Sequence, residues 1–360
     1  MKRMISLAGG EPEFDTPKHI IDAMKKAIDE GHTHYGDFRH IPELREAVAG
    51  KYRKLGVSAD PELILITPGS TMAIFMAFKT LLKPGDDLLT MDPSFFGYYQ
   101  PLKLVEGSPV PVPRYKKENW KFHVDDLYEK VTKKTKAILL CSPDNPTGAV
   151  LREEELKAIA DFAREKNLWV ISDDIYDEIT YDGFRFRSIA SLPGMKDRTI
   201  ILNGLSKTYA MTGWRVGYII APSKEIYDRM FSIQMCTYLV VNAALQIASL
   251  TALTGPQESV REMVSAYKMK RDYLLDRYEE MPKVSVTKPE GAFYLFPSVS
   301  AYGLSSAKMA EYLRNEAKVA VTPGHLFGTN GEGHFRNAYA QPMADLEEGI
   351  DRIKEALGEL

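Results

Sequence analysis

The sequence has few cysteines, no long apolar run and no excess of either charge. Cys141 and Cys236 are the only cysteines among 360 residues. Two are too few for a disulfide framework in a chain of this length, and they favour a reducing compartment, the cytoplasm. No run of about 18 apolar residues occurs, so we expect no membrane-spanning helix. With 46 basic and 49 acidic residues, the net charge is −3, and no basic patch indicates nucleic-acid binding.

Length and composition indicate a globular protein of two domains. Apolar residues make up 44% and charged residues 26%, which excludes general disorder. A single hydrophobic core stops growing near about 250–300 residues, so a second, smaller domain is expected. We predict an N-terminal segment that packs with the small domain (residues 1–30), a large domain (31–255) and a small C-terminal α+β domain (256–360).

The order of apolar runs in the large domain predicts an α/β fold. Short runs rich in Ile, Leu and Val alternate with amphipathic stretches, which is typical of a mostly parallel sheet flanked by helices. The predicted strands are 63–66, 87–91, 137–140, 168–171 and 199–202, and the predicted helices include 72–82 and 153–166. In the small domain, a long charged helix is followed by predicted strands at 284–287 and 293–296 and by two further helices.

Four loops carry polar residues directly after these strands. Ligands of open α/β sheets bind outside the carboxyl ends of the strands, so these loops are the candidate site. They are Gly69-Ser70-Thr71, Asn145-Pro146-Thr147-Gly148, Ser172-Asp173-Asp174-Ile175-Tyr176 and Ser206-Lys207, the last with Arg215 eight residues on.

Each loop taken alone has an ordinary structural explanation. Ser70 could be a helix cap rather than a phosphate ligand, and Asn145 could be part of a turn. A carboxylate at 173 could face a cationic ligand atom or bind a metal, although no histidine lies nearby in sequence. Lys207 could lie at the surface, or it could be desolvated and form a Schiff base with a carbonyl.

Together the four loops match the needs of one ligand. A phosphate cradle, a rigid Asn, a carboxylate and a lysine near an arginine are what a phosphorylated aromatic aldehyde requires. Pyridoxal 5′-phosphate (PLP) has this chemistry. No metal is expected, because the histidines show no metal-binding spacing.

The motifs resemble those of a known enzyme family. The sequence is similar to the fold-type I, class I and II aminotransferases of the aspartate aminotransferase superfamily, whose large domain binds PLP. The motifs occur in the family's order and span nearly the whole chain. They are ISLAGGEPEFDTP (5–17), SPDNPTG (142–148), ISDDIYDEITYDG (171–183), NGLSKTYAMTGWRVGY (203–218), PEGAFYLFP (289–297) and FRNAYA (335–340).

The resemblance implies a role for each matching residue. Lys207 corresponds to the lysine that bonds the cofactor and moves the substrate proton, Asp173 to the carboxylate that pairs with the pyridinium nitrogen, and Tyr176 with Asn145 to the donors to the ring hydroxyl. The remaining implied cofactor ligands are Ser70, Thr71, Gly204 and Arg215 at the phosphate and Phe95 stacked on the ring. The implied substrate ligands are Gly10, Asn145 and Arg336, whose guanidinium would hold the α-carboxylate.

Through the resemblance, Tyr35 implies that the protein is a dimer. In the family, this tyrosine reaches the phosphate of the neighbouring subunit, so we expect a homodimer with shared active sites. His40 stands where the family usually has a glycine, and a histidine tolerates a positive φ less well.

Other departures leave the substrate open. Thr71 stands where some bacterial aspartate enzymes have a lysine, Phe95 replaces a tryptophan, and Asn337 replaces a common serine beside the carboxylate arginine. Aspartate, alanine, aromatic and other amino acids all remain candidates for the amino donor. We expect an aminotransferase with a ping-pong mechanism, with a PLP-dependent carbon–sulfur β-lyase as the alternative. A ligand-responsive regulator on the same fold is disfavoured, because it would need a DNA-binding module.

Overall fold

A central sheet of seven strands with helices packed against it dominates the structure. The computed structural model describes residues 3–360. The strands are β1 (Ile5–Ser6), β2 (Ile64–Thr67), β3 (Asp87–Asp92), β4 (Ser108–Pro113), β5 (Thr135–Cys141), β6 (Trp169–Asp173), β7 (Thr199–Gly204), β8 (Gly217–Ile220), β9 (Tyr294–Leu295), β10 (Val319–Ala320), β11 (Thr322–Pro323) and β12 (Phe335–Ala338). The α-helices are α1 (Lys18–Asp29), α2 (Pro42–Lys54), α3 (Ser70–Leu81), α4 (Tyr99–Leu104), α5 (Val124–Lys130), α6 (Glu153–Glu165), α7 (Lys224–Thr237), α8 (Ala243–Thr254), α9 (Glu258–Glu279), α10 (Ser306–Tyr312) and α11 (Met343–Gly358).

The central sheet is mostly parallel, as predicted. Its strand order is β2-β8-β7-β6-β5-β3-β4. The four pairs from β4 to β7 are parallel, and only β8 runs antiparallel to its two neighbours. The carboxyl ends of all the other strands therefore meet at one edge of the sheet, where the four loops begin.

Local sequence explains the helices that leave this edge. In α6 the apolar residues recur on one face, and Leu156, Ile159, Ala160 and Ala163 are buried as their spacing predicts. Helix α3 starts at Ser70, two residues earlier than the predicted range, because Gly69 with φ of 79° ends the preceding loop. Positive φ is easily adopted only by glycine, so the turn from β2 into α3 depends on this residue.

A second group of elements follows α8. Strands β11, β12 and β9 form a three-stranded antiparallel sheet, and β1 pairs in parallel with β10. The N-terminal segment thus joins this group through β1, whereas α1 packs against α8 of the first group. The division into two domains at residue 255 stays a prediction.

The prediction of a strand at 284–287 is wrong. This stretch is extended, but Ser285 alone forms a bridge, with Ser298. Ser285 and Ser298 exchange both backbone hydrogen bonds, but no further pair of described residues continues the ladder on either side. The predicted strand at 293–296 shortens to β9.

None of the helices in residues 3–360 is long and apolar enough to cross a membrane.

Two histidines are buried in their neutral form. His40 has a φ of 71° and is fully buried, and its Nε2 accepts from the Val241 N–H at 3.4 Å. The sequence departure at this position is therefore accommodated in a left-handed conformation. His334 is 8% exposed and stacks on Phe296. Burial lowers the pKa of each imidazole to about 4.

We predict that these histidines destabilise the protein as the pH falls. An unfolded histidine has a pKa of about 6.5, so between pH 6.5 and 4 the unfolded state binds more protons and the free energy of unfolding decreases. Each histidine accounts for up to about 3 kcal/mol, since one pKa unit is about 1.4 kcal/mol. Between pH 7 and pH 4.5, urea unfolding should show a smaller decrease in the free energy of unfolding for His40→Asn and for His334→Gln than for the wild type. An equal decrease in all three proteins would contradict the assignment of these histidines as buried and neutral.

Candidate active site

A cavity of about 360 Å³ lies at the sheet edge where the four loops begin. It also receives residues from the N-terminal segment and from β12. The sequence-predicted residues that line it are Gly10, Ser70, Thr71, Phe95, Asn145, Asp173, Tyr176, Lys207, Arg215 and Arg336. Residues far apart in sequence therefore meet around one volume that can hold a small molecule.

Lys207 supplies a half-buried amine to this cavity. Its Nζ donates to the backbone oxygen of Gly10 at 2.6 Å. Burial, and next the positive charge of Arg336, lower the pKa of Lys207 to about 8. An amine with such a pKa is partly deprotonated near neutral pH, which makes it a nucleophile and a base.

Two adjacent carboxylates are buried beside the lysine. Asp173 is 3% exposed, and its Oδ2 accepts from the Tyr98 hydroxyl at 2.8 Å. Burial raises the pKa of Asp173 to about 6, against the lowering effects of Tyr98 and Lys207. Asp174 faces away from the cavity and accepts from Ser172 Oγ at 2.6 Å and from the Tyr52 hydroxyl at 3.1 Å. Each carboxylate has its own partners, which explains how both can be buried.

Arg336 supplies a fixed guanidinium on the other side. Its Nη1 donates to Asn145 Oδ1 at 2.8 Å, and its Nη2 donates to the Ala8 oxygen at 2.7 Å. The guanidinium carbon lies 4.4 Å from the ring centre of Tyr294 and 5.1 Å from that of Phe327. Its Nε is buried without a partner. A planar cation held in this way suits a carboxylate.

Tyr176 meets a partner that the sequence did not indicate. Its hydroxyl lies 2.7 Å from the Tyr294 hydroxyl, and the two rings meet edge to face. Burial raises the pKa of Tyr176 far above its ordinary value, so the phenol stays protonated and able to donate.

The opposite end of the cavity suits an anion. Ser70 and Thr71 form the first turn of α3, whose backbone N–H groups have no partner inside the helix. Arg215 has a φ of 58°, and its Nη1 donates to the Thr212 oxygen at 2.9 Å. Its Nη2 would lie 2.5 Å from a Cβ placed on Gly69. A helix N-terminus beside a guanidinium favours negative charge.

Comparison with known proteins identifies the family. The model of the family described as aminotransferase class I and II matches residues 2–353. The chain belongs to this family. It is 44% identical to an aspartate aminotransferase of Pyrococcus abyssi, over 100% of this chain and 93% of the relative. It is also 44% identical to aromatic-amino-acid aminotransferase 2 of Thermococcus litoralis, over 99% of this chain and 92% of the relative.

A solved structure extends the likeness to the fold. The crystal structure titled as an aromatic aminotransferase from Pyrococcus horikoshii OT3 matches with a TM-score of 0.97 and 44% identity, over 100% of this chain and 96% of that one. The predicted fold class and the prediction of an aminotransferase are thereby confirmed. These relatives give no support to the carbon–sulfur β-lyase.

Three residues singled out from the sequence do not line the cavity of the aminotransferase. Gly204 ends β7, and its N–H donates to Asn203 Oδ1 at 2.7 Å. Asn337 points to the other side of β12 from Arg336, and its Nδ2 donates to the Tyr278 hydroxyl at 3.0 Å. Tyr35 is 76% exposed, and its ring contacts only Phe38 among the described rings, at 6.1 Å.

Other lining residues of the aminotransferase escaped the sequence analysis as site residues. They include Ala8, Ile74, Phe96, Cys141, Thr212 and Tyr294. Cys141 is the last residue of β5, so the strand-end rule could have included it. Tyr294 lies within the quoted motif PEGAFYLFP, but only the fold shows that it reaches the cavity.

We predict that Lys207 of the ligand-free aminotransferase is acylated at an unusually low pH. Labelling by acetic anhydride, followed by peptide mass spectrometry between pH 6 and 10, should be half-maximal near pH 8. A lysine with the ordinary pKa of about 10.4 remains protonated there. Arg336→Gln removes a cause of the lowered pKa and should move the midpoint upward. A midpoint near pH 10 in the wild type would show that the amine is not desolvated.

Proposed function

We propose that this enzyme uses PLP to move the amino group of an L-amino acid to a 2-oxo acid by a ping-pong mechanism. The observation that carries the proposal is the convergence of four charged groups on one cavity. These are the low-pKa amine of Lys207, the buried carboxylate of Asp173, and the guanidinium groups of Arg215 and Arg336.

The donor set of the cavity suits PLP. Its phosphate would bind at the first turn of α3, to Ser70, Thr71 and Arg215, where a Cβ at position 69 would fill the space beside the guanidinium. Its aldehyde would face Lys207, and its ring nitrogen would face Asp173. Phe95 would stack on the ring, and the Asn145 and Tyr176 side chains would donate to its hydroxyl group. Gly204, behind the site, would contribute through its backbone.

The bound cofactor supplies an aldehyde that takes up the amine and a ring that draws electrons from the substrate Cα. The chain itself holds and moves protons. Lys207 Nζ, neutral in part near pH 8, would take the proton from the substrate Cα and return it at the carbon of the cofactor's aldehyde group. Asp173 is ionised above about pH 6 and keeps a proton on the ring nitrogen, while the Tyr98 hydroxyl holds the carboxylate in place.

Arg336 would orient the substrate through the group that all amino donors share. Its fork already bonds to Asn145 and to the Ala8 carbonyl, and an α-carboxylate would lie against the same cation. Gly10 also lines the cavity, and its carbonyl oxygen accepts from Lys207. Orientation by a fixed cation lowers the entropy cost of reaching the reactive arrangement.

The sequence relatives leave the amino donor open. Equal identity to an aspartate and to an aromatic-amino-acid aminotransferase favours neither side chain. Thr71 offers a hydroxyl, not a charge, to a second carboxylate. Changes of this kind shift preference by about 1–3 kcal/mol each.

Lys207→Ala tests the proposed role of the lysine. The variant should keep the wild-type circular dichroism spectrum but lose nearly all transamination and all covalent labelling by PLP and borohydride. Lys166→Ala, a change on the surface end of α6, is the matched control and should behave as the wild type. Transamination by Lys207→Ala would refute the assignment. Release of ammonia and pyruvate from cysteine by the wild type, with no amino transfer, would favour the β-lyase.

A homodimer with shared sites is part of the proposal. The exposed ring of Tyr35 lies outside its own cavity, where it is free to reach the phosphate of a second copy. We also propose that the enzyme is cytoplasmic, because Cys141 and Cys236 are both free thiols.

We predict that Tyr35→Phe binds PLP more weakly and that a second variant restores the binding. Mixing Tyr35→Phe with Lys207→Ala should create dimers in which one site has both wild-type residues. Amino transfer by the mixture at limiting PLP measures these sites. Under the same conditions Lys207→Ala alone should show no amino transfer, and Tyr35→Phe alone should show a reduced rate. Sedimentation should show dimers throughout. No gain of activity on mixing, despite subunit exchange, would contradict shared sites.

A further inference from the structure

Residues 327–330 of the predicted small domain are fastened to the end of β3. The carboxylate of Asp92 accepts from Thr329 Oγ1 and from the Asn330 N–H, the latter at 3.2 Å. The backbone oxygen of Asp92 accepts from Asn330 Nδ2 at 3.3 Å. Asp92 is 3% exposed, so water does not compete for these bonds. One buried side chain thereby joins the two predicted domains.

The contact at Asp92 leaves no space for a larger loop residue. Gly328 has a φ of 128°, and a Cβ on it would lie 2.0 Å from Asp92 Oδ1. The loop therefore lies directly on the carboxylate, and its position is set by Asp92.

The fastened loop places Phe327 beside Arg336, which lines the cavity. The Phe327 oxygen accepts from the Ser94 N–H at 2.8 Å and from the Tyr99 hydroxyl at 3.4 Å. Its ring is fully buried, lies 5.4 Å from the Phe96 ring, and is 5.1 Å from the guanidinium carbon of Arg336. The adjacent rings act together with the Nη bonds to Asn145 and to the Ala8 carbonyl in fixing the guanidinium plane, since Nε has no partner.

We propose that Asp92 is a positioning residue for substrate binding: by fastening residues 327–330 it holds the Phe327 ring against Arg336 and so orients the guanidinium for the substrate carboxylate. The inference rests on the proposed function, in which Arg336 binds that carboxylate. Asp92 itself does not line the cavity. Its loss should weaken the binding of every α-carboxylate alike, because the group it orients is the one they share.

The test compares Asp92→Ala, Asp92→Asn and a control on the same strand. Asp87→Ala is the control, because Asp87 begins β3, bonds to Thr132 and has no contact with residues 327–330. Calorimetry on the PLP-loaded proteins measures the dissociation constants of succinate and 3-phenylpropionate. Hydrogen exchange measures the protection of the Asn330 amide.

We expect Asp92→Ala to raise both dissociation constants by about tenfold, equivalent to about 1.4 kcal/mol, and to speed exchange at Asn330. The dissociation constants of Asp92→Asn should lie between those of the wild type and Asp92→Ala, because its amide oxygen still accepts hydrogen bonds. Asp87→Ala should match the wild type. In steady state, KM should rise for all amino donors with little change in kcat.

Wild-type affinities in Asp92→Ala would overturn the inference, and so would a change for one ligand only, which would indicate a contact with the substrate side chain. If Asp92→Ala does not fold, Thr329→Val decides, because it removes only the hydroxyl donor. Thr329→Val should raise the dissociation constants of both succinate and 3-phenylpropionate. Unchanged dissociation constants would overturn the inference. Failure of the proposed function differs from all of these, because the wild type would then bind neither PLP nor either carboxylate.

Discussion

The site depends on keeping one ammonium group, that of Lys207, out of bulk water. Its pKa of about 8 lies below the ordinary value of 10.5, which corresponds to about 3 kcal/mol against the charged form. Burial is the larger cause and the charge of Arg336 the next. The same pair of cations needs acceptors, and both find backbone oxygens of the N-terminal segment, at Gly10 and Ala8. The chemistry of the cavity thus begins with the cost of burying two positive charges side by side.

A second polar network supports the sheet edge beneath the cavity. Asn203 donates to the Tyr52 hydroxyl and to Asp177 Oδ2, each at 3.0 Å, and its own oxygen accepts from the N–H of Gly204. Lys51 lies 2.7 Å from Asp177 and balances its charge. This network holds the end of β7, three residues before Lys207. Strand β6, which pairs with β7, ends beside it at Asp173. Apart from Oδ1 of Asp177, which has no partner, the buried groups of this network are hydrogen-bonded, and such networks give a site rigidity.

Much of the arrangement was predictable because the decisive residues are local to strand ends. Asp173, Asn145 and Lys207 each follow an apolar run, and the parallel sheet brings such ends together. Contacts made by the second group of elements were not predictable in this way. The Tyr176–Tyr294 bond and the placement of Phe327 depend on how loops cross between the groups, which no periodicity encodes. The strand expected at 284–287 failed for the same reason: its residues favour extension, but a strand also needs a partner.

The pairing of β1 with β10 has a consequence for how the chain folds during synthesis. The parallel sheet from β3 to β7 can form from the first two thirds of the chain, but Ile5 and Ser6 must wait for Val319 and Ala320 to leave the ribosome. Until then, the carbonyls of Ala8 and Gly10 have no fixed place, and Arg336 does not yet exist. The parallel sheet can therefore form before the centre is competent, and the pairing of the two ends of the chain completes the centre.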